Sequence, residues 1–178
     1  MLPRQAGGYA GYVTAPSRQF ARKPRSLGHD EAAAVPLAAL TAWQALVDAA
    51  AVRPGRRVLV HAAAGGVGHF AVQFAKHLGA HVTGTARADN HEWLYGLGAD
   101  DLVDYTATRF EKEMDRVDVV IDLVGDEHDS TSTRSLDVLA PGGLLLAIPS
   151  GVSPNCSGGR RSAACAPPRS SSNRTARR

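Results

Sequence analysis

A cluster of glycines follows a short β-rich run in the first half of the chain. The run is Val58-Leu59-Val60, and Gly65, Gly66 and Gly68 lie just before a stretch with helical apolar spacing. In such a strand–turn–helix order, glycine lets the backbone approach a bound group, and the first helical N–H groups are unpaired donors at the positive end of a dipole. The group that this geometry favours is a diphosphate. The alternative is an ordinary tight turn between a strand and a helix.

The spacing of the cluster separates several nucleotide-binding classes. Ala63 takes the first position of the dinucleotide fingerprint, Gly65 the second and Gly68 the third. The chain has no Gly-Lys followed by Ser or Thr, which argues against a nucleoside-triphosphate loop. It has no Tyr followed four residues later by Lys, which argues against the usual catalytic pair of short-chain dehydrogenases. A dinucleotide is therefore the predicted ligand.

The residues after the second predicted strand indicate which dinucleotide is bound. An NAD site offers an acid there to the ribose 2′-hydroxyl, about 20 residues past the glycines. This chain has Thr85-Ala86-Arg87 instead, and a guanidinium pairs well with a 2′-phosphate. Asp89 is the contrary residue, and we expect it to cap the next helix in a capping box with Glu92. The predicted cofactor is therefore NADP.

The elements that must position these residues alternate between strand and helix from about residue 30 to residue 150. The predicted strands are 57–61, 81–85, 102–104, 117–123 and 144–148. The nearly continuous apolar centre of 117–123 is typical of a strand covered on both faces. The predicted fold class is therefore α/β, with a doubly wound parallel sheet of about five strands. Pro36 is expected to separate two helices, and Pro141-Gly142-Gly143 is expected to form a turn before the last strand.

Charge and composition argue against several classes of function. The 178 residues carry a formal charge of +3, but residues 151–178 contain six Arg and no acid, and the rest carries 14 basic and 17 acidic residues. No basic face is therefore expected to bind nucleic acid. Both cysteines, Cys156 and Cys165, lie in that segment, and the seven histidines are scattered, so neither a disulfide framework nor a metal site is predicted.

The ends of the chain give further expectations. No apolar run approaches the roughly 18–20 residues of a membrane span, and no secretory signal is recognised, so we expect a cytoplasmic protein without a membrane partner. The Gly, Ser, Pro and Arg residues of 151–178 bury too little apolar surface to offset chain entropy, which predicts a disordered C-terminal tail. This basic tail is either an arm for acidic partners or a solvated segment without a function.

Five short motifs occur together along the chain. They are Glu31-Ala32-Ala33-Ala34-Val35-Pro36-Leu37, Leu40-Thr41-Ala42-Trp43, Ala63-Ala64-Gly65-Gly66-Val67-Gly68, Leu97-Gly98-Ala99-Asp100 and Val103-Asp104-Tyr105. In combination they resemble the medium-chain dehydrogenase/reductase superfamily, in its zinc-independent, quinone-oxidoreductase-like branch. The resemblance covers residues 7–153. It implies a Rossmann domain that binds NADPH and transfers a hydride to a small quinone, enone or other carbonyl substrate.

The resemblance also implies which residues contact the cofactor. Residues 64–67 would line the pyrophosphate, Tyr105 would lie against the 2′-phosphate, Val124 and Ile148 would border the cofactor, and Thr41 would lie near the nicotinamide. His91 stands where some members carry a phosphate-binding Lys. The predicted cofactor-binding residues are Thr41, Ala64, Gly65, Gly66, Val67, Gly68, Arg87, Tyr105, Val124 and Ile148. No catalytic residue is assigned.

The domain organisation departs from that of the family. We expect residues 1–29 to hold only a remnant of a GroES-like β domain, at Gly8–Thr14, and a connecting loop, with an NADP-binding Rossmann domain over 30–150 and the tail over 151–178. The abrupt change after Pro154 suggests translation in a shifted frame. Two functions stay open: a truncated NADPH-dependent oxidoreductase, or a non-catalytic dinucleotide-binding module or inert fragment. The oligomeric state is left open as well.

Overall fold

The computed structural model describes residues 10–127 and 129–148, which divide into two units, 10–35 and 36–148. The first unit holds a short 3-10 turn, Ser17–Gln19, and the start of the first helix. Its residues 10–14, predicted as part of a β remnant, form no strand, and Tyr12 is 99% exposed. A strand needs a partner for its backbone groups, and none pairs with this segment in the described chain. Residues 7–9 and the tail 151–178 lie outside the described residues.

Helices and strands alternate along the chain from the first helix, which begins in the first unit, as predicted. The helices are α1 (His29–Trp43, continued by a wider turn over Gln44–Ala49), α2 (Gly68–His77), α3 (His91–Gly96), α4 (Phe110–Glu113) and α5 (Thr131–Val138). The strands are β1 (Arg57–Val60), β2 (His81–Ala86), β3 (Asp101–Asp104), β4 (Val117–Asp122) and β5 (Leu139–Ala147).

The five strands form one parallel sheet in the order β3-β2-β1-β4-β5. Val58 of the central strand β1 lies opposite Val82 on one side and Val119 on the other. The chain runs outward from β1 to β3 and then returns to build β4 and β5 on the other side. This arrangement confirms the doubly wound α/β prediction, and it opens a crevice at the carboxyl ends of β1 and β4, where the strand order reverses.

Both faces of the sheet are buried, because successive strand residues point to opposite sides. Val58 and Val60 pack into the larger apolar cluster with Ala71 and Val72 of α2. Leu59, between them, belongs to a second cluster, with Phe110 among its members. The continuous apolar strands of the sequence are explained by this two-sided burial.

Two predicted interruptions are wrong. Helix α1 continues through Pro36. Proline has no N–H and removes one helical hydrogen bond, but the alanine-rich turns on both sides favour the helix and outweigh this loss. Pro141-Gly142-Gly143 does not precede the last strand but lies inside β5 as an irregularity. Val117 pairs with Leu139 and Val119 with Leu144, so the segment loops out of the ladder, where Pro141 has no N–H to donate.

One helical stretch, His29–Ala49, is long and apolar enough by length and composition to cross a membrane, with a mean hydropathy of 1.3. The expectation that no segment approaches a span overlooked it, because Asp30, Glu31 and Asp48 interrupt its apolar run. A leader sequence or a core helix of a soluble protein passes the same test, so a single such helix is weak support for a span.

Candidate cofactor site

The glycine turn begins where β1 ends. Ala62 adopts a left-handed conformation with φ of +49°, and its carbonyl accepts a hydrogen bond of 2.9 Å from the Gly65 N–H. The Ala63 N–H donates to the Thr85 carbonyl at 3.0 Å, which ties the turn to the end of β2. A left-handed alanine costs about 1–2 kcal/mol, so the surrounding contacts must hold this conformation.

Close packing explains the third glycine of the fingerprint. A Cβ on Gly68 would collide with the Ala62 carbonyl oxygen and lie 2.8 Å from the Ala63 Cα. The alanine at the first fingerprint position is accommodated by Gly84 of β2, where an added Cβ would lie only 2.9 Å from the Ala63 Cβ. This compensation was missed at the sequence level, although Gly84 in a strand was its signal.

The outer face of the turn is open and carries hydrogen-bond donors. Gly65 and Gly66 are exposed, and a Cβ on Gly66 would meet nothing within 4 Å. Within the described chain, the amides of Gly66, Val67 and Gly68 donate to no acceptor. They lie at or just before the start of α2, where the helix dipole is positive. This cradle of backbone donors fits the diphosphate of a dinucleotide.

A cleft of about 450 Å³ extends from the turn along the carboxyl ends of the strands. Its lining residues are His61, Ala62, Ala64, Gly65, Thr85, Ala86, Arg87, Asn90, Tyr105, Phe110, Val124, Asp129, Thr131 and Arg134. Five predicted cofactor residues are thus brought together: Ala64, Gly65, Arg87, Tyr105 and Val124.

The other predicted cofactor residues do not line the cleft. Gly66, Val67 and Gly68 follow Gly65 along the turn. The Thr41 hydroxyl donates to the Leu37 carbonyl at 2.7 Å within α1, and the Ile148 N–H donates to the Asp122 carbonyl at 2.9 Å. The cofactor roles of all ten predicted residues stay predictions.

Arg87 and Tyr105 form the outer end of the cleft. The Arg87 Nε donates to the Tyr105 hydroxyl at 3.2 Å, and this bond raises the pKa of Arg87. No other group in the described residues hydrogen-bonds the guanidinium, so its Nη groups are available to an anion. Asn90, three residues after Arg87, also lines the cleft and was missed by the sequence analysis.

The capping role predicted for Asp89 is wrong. Residues Ala88–Asn90 form a 3-10 turn that leads into α3, and Asn90 precedes the helix without a side-chain capping bond. The local chain turns too early for Asp89 to reach a free N–H of α3. Its charge instead acts on Arg87, where it contributes to the raised pKa. His91, at the position of the phosphate-binding Lys, bonds the Ala86 carbonyl at 3.2 Å.

The far wall of the cleft comes from α4 and α5. Arg134 pairs with both carboxylate oxygens of Glu111, at 3.0 and 2.6 Å, and lies 4.6 Å from the centre of the Phe110 ring. The Arg134 hydrogen bond lowers the pKa of Glu111. These residues were not predicted, because a bidentate ion pair between α4 and α5 leaves no recognisable spacing in the sequence.

Comparisons with known proteins agree with this geometry. Residues 66–155, half the chain, match the zinc-binding dehydrogenase family. The chain is 40% identical to the mitochondrial NAD(P)H oxidoreductase RTN4IP1 of Danio rerio, over 78% of this chain and 37% of that protein. It is 37% identical to the 2-methylene-furan-3-one reductase of Solanum lycopersicum, over 85% of this chain and 38% of that protein.

Solved structures give the same relationship. The fold superposes on the quinone oxidoreductase from Coxiella burnetii with a TM-score of 0.68 and 40% identity, over 73% of this chain and 40% of the other. The chain spans about two fifths of the length of these relatives. The family match, the similar proteins and the shared fold therefore establish that the chain belongs to the medium-chain dehydrogenase/reductase superfamily, in its quinone-oxidoreductase-like branch.

Proposed function

We propose that the chain binds NADPH at the glycine turn and takes part in hydride transfer to a small quinone, enone or other carbonyl compound. The observation that carries the proposal is the set of amides at residues 66–68, which donate to no acceptor in the described residues and follow the exposed Gly65. Relatives named as NAD(P)H and quinone oxidoreductases support the class of reaction. Arg87 and Tyr105 support NADP over NAD, because a 2′-phosphate needs a cation and a hydroxyl donor.

Each group has a defined task in this proposal. The amides of residues 66–68 would hold the diphosphate, and Arg87 would hold the 2′-phosphate. Val124, at the end of β4, gives the cofactor an apolar surface. The bound dinucleotide supplies a hydride from its nicotinamide ring. The residues of this chain orient the cofactor and exclude water from it, and no side chain is assigned as a general acid or base.

The family description names zinc, and the described residues do not supply a site for it. In residues 10–127 and 129–148, no group of three or more His, Cys, Asp or Glu side chains could hold a metal ion. We propose a zinc-independent reaction, which a chelator should leave unchanged.

Cofactor binding is tested by calorimetric titration of the full chain with NADPH and NADH. In Gly66→Val, the added Cβ meets nothing within 4 Å in the free protein, and we expect the side chain to block the approach of the diphosphate to the turn, so the NADPH affinity should fall at least tenfold. Gly96→Val is the matched control, because Gly96 lies in α3 away from the cleft and an added Cβ there also meets nothing within 4 Å. Equal affinities in the two variants would contradict the site.

Turnover separates the catalytic proposal from a non-catalytic module. NADPH oxidation is followed with a quinone and with an enone, at cofactor concentrations that saturate the wild type. Saturable oxidation that is lost in Gly66→Val supports the oxidoreductase. Binding without any oxidation would identify a dinucleotide-binding module instead.

A further inference from the structure

A histidine lies fully inside the wall of the cofactor cleft. His61 directly follows β1, is 1% exposed, and lines the cleft. Both ring nitrogens are engaged: Nδ1 lies 3.1 Å from the Thr85 hydroxyl, and Nε2 lies 2.9 Å from the Ser135 hydroxyl. His61 has no part in the proposed hydride transfer, so these two hydrogen bonds are the best indication of its role.

The neighbouring hydroxyls determine where the ring carries its proton. Ser135 donates its only hydroxyl proton to the Thr131 carbonyl at 2.7 Å, so it must accept a hydrogen bond from His61 Nε2–H. Nδ1 is then the unprotonated nitrogen and accepts from the Thr85 hydroxyl. The Thr85 oxygen in turn accepts the Ala62 N–H at 3.3 Å. The chain of bonds therefore runs from the glycine turn through His61 to α5.

We infer that His61 is a positioning residue for the dinucleotide: as a neutral ring protonated on Nε2, it orients the Thr85 hydroxyl, which holds the amide of Ala62 and with it the left-handed start of the glycine turn. The inference rests on the proposed function, because it concerns the turn that would hold the diphosphate.

The surroundings of the ring favour its neutral form. The Phe110 ring stands edge-on at 4.6 Å between centroids. Charged groups face it from three elements: Asp122 of β4, Glu111 of α4 and Arg134 of α5. Burial lowers the pKa of His61 to about 4, against the opposing influence of the two acids. The Asp122 carboxylate is engaged elsewhere, since it accepts from the Ser132 hydroxyl and from the Val124 N–H.

Two substitutions test the hydrogen bonds of Nδ1 and Nε2 separately. In His61→Asn, a carbonyl oxygen stands near the Nδ1 position and can accept from Thr85. In His61→Gln, an amide N–H stands near the Nε2 position and can donate to Ser135, but the Thr85 acceptor is lost. We expect His61→Asn to keep the NADPH affinity within about twofold and His61→Gln to lose about tenfold, the effect of one hydrogen bond in a buried network.

A merely structural role predicts the opposite order. Asn is smaller than Gln and leaves the larger cavity, so packing alone would make His61→Asn the weaker binder. That order would overturn the inference. If either His61 variant fails to fold, Thr85→Ser and Thr85→Val make the same comparison: the hydroxyl is kept in the first and lost in the second. Equal NADPH affinities in these two would also overturn it.

A readout without ligand separates this inference from the proposed function. Nitrogen-15 NMR of the free full chain at neutral pH should show His61 protonated on Nε2, and the Ala62 amide should exchange faster in His61→Gln than in His61→Asn. An Nδ1-protonated ring, or equal exchange, would overturn the inference whatever the cofactor does. A wild-type chain that binds neither NADPH nor NADH would instead refute the proposed function, while the NMR result would still decide the role of His61.

Discussion

Two of the basic side chains that line the cleft have surroundings that give them different charge states at neutral pH. Arg87 is exposed, and its hydrogen bond to Tyr105 raises its pKa. His61 is buried, and desolvation lowers its pKa to about 4. The cleft therefore offers a fixed cation at its outer end and an uncharged ring in its wall. Each charge state leads to a different prediction.

Arg87→Ala should weaken NADPH binding roughly tenfold and leave NADH binding nearly unchanged, because only NADPH carries the 2′-phosphate that a guanidinium pairs with. Arg53→Ala is the matched control: it removes the same charge at an exposed position before β1, away from the cleft. Calorimetric titrations of both variants with both cofactors, at one ionic strength, make the comparison. Parallel losses for NADPH and NADH would refute the 2′-phosphate role.

The stability of the wild-type chain should fall as the pH is lowered from 6.5 to 4. The unfolded His61 takes up a proton near its ordinary pKa of 6.5, whereas the folded ring resists protonation until about pH 4. Its contribution is present above pH 6.5 and is lost as the pH falls through this window, to a total of about 3 kcal/mol. Urea unfolding at several pH values measures it.

His61→Asn removes this titration, so its unfolding free energy should depend less on pH between 6.5 and 4 than that of the wild type. His77 of α2 provides the control, because His77→Asn makes the same substitution at an exposed position. If all three proteins lose stability in parallel, the acid sensitivity belongs to the carboxylates instead.

At the scale of elements, the sequence was most informative where structure is local. The unit of β1, glycine turn and α2 was predicted within a few residues of its observed ends, because apolar spacing and glycines record it directly. The same holds for the order of the five strands along the chain. Their pairing into a doubly wound sheet followed from the two-sided burial of the strands.

The failures have a common physical cause. Pro36, Asp89 and Pro141 were each assigned the local structure that their residue type favours, and the neighbouring elements imposed another. The roles of His61 and Arg134 in the wall of the cleft were not predicted for a related reason. His61 and Arg134 approach the cleft from elements more than 70 residues apart in sequence, and no local pattern records such a meeting.

The packing of α2 on β1 gives a prediction at this scale. Gly68→Ala should destabilise the fold by about 1–3 kcal/mol, because its Cβ meets rigid backbone of residues 62 and 63 rather than a side chain that can move. Gly66→Ala, two residues earlier, should change the melting temperature little, since its Cβ meets nothing within 4 Å. Thermal unfolding by circular dichroism compares them. Similar melting temperatures would show that α2 can shift away from β1.

At the scale of the whole molecule, the strand β5 forms one edge of the sheet. In the described residues β5 pairs only with β4, and its Leu144-Leu145-Leu146 run is apolar. The Ile148 N–H donates to Asp122 of β4, so by alternation the backbone groups of Leu145 and Ala147 face away from β4. Leu145 and Leu146 are buried, so what this edge offers is backbone donors and acceptors that meet no partner in the described residues, and such an edge favours pairing with another strand.

We therefore expect the chain to self-associate through β5, with a sedimentation coefficient that rises with concentration. Ala147→Pro removes one outward N–H without touching the β4–β5 ladder, so it should reduce association and keep the fold. Ile148→Pro is the matched control: it removes the N–H that bonds Asp122, so it should lower stability and leave the outward groups in place. A wild-type chain that stays monomeric at every concentration would contradict self-association through β5. Equal association of the two variants would contradict it as well, because the variants differ only in the direction of the N–H that is lost.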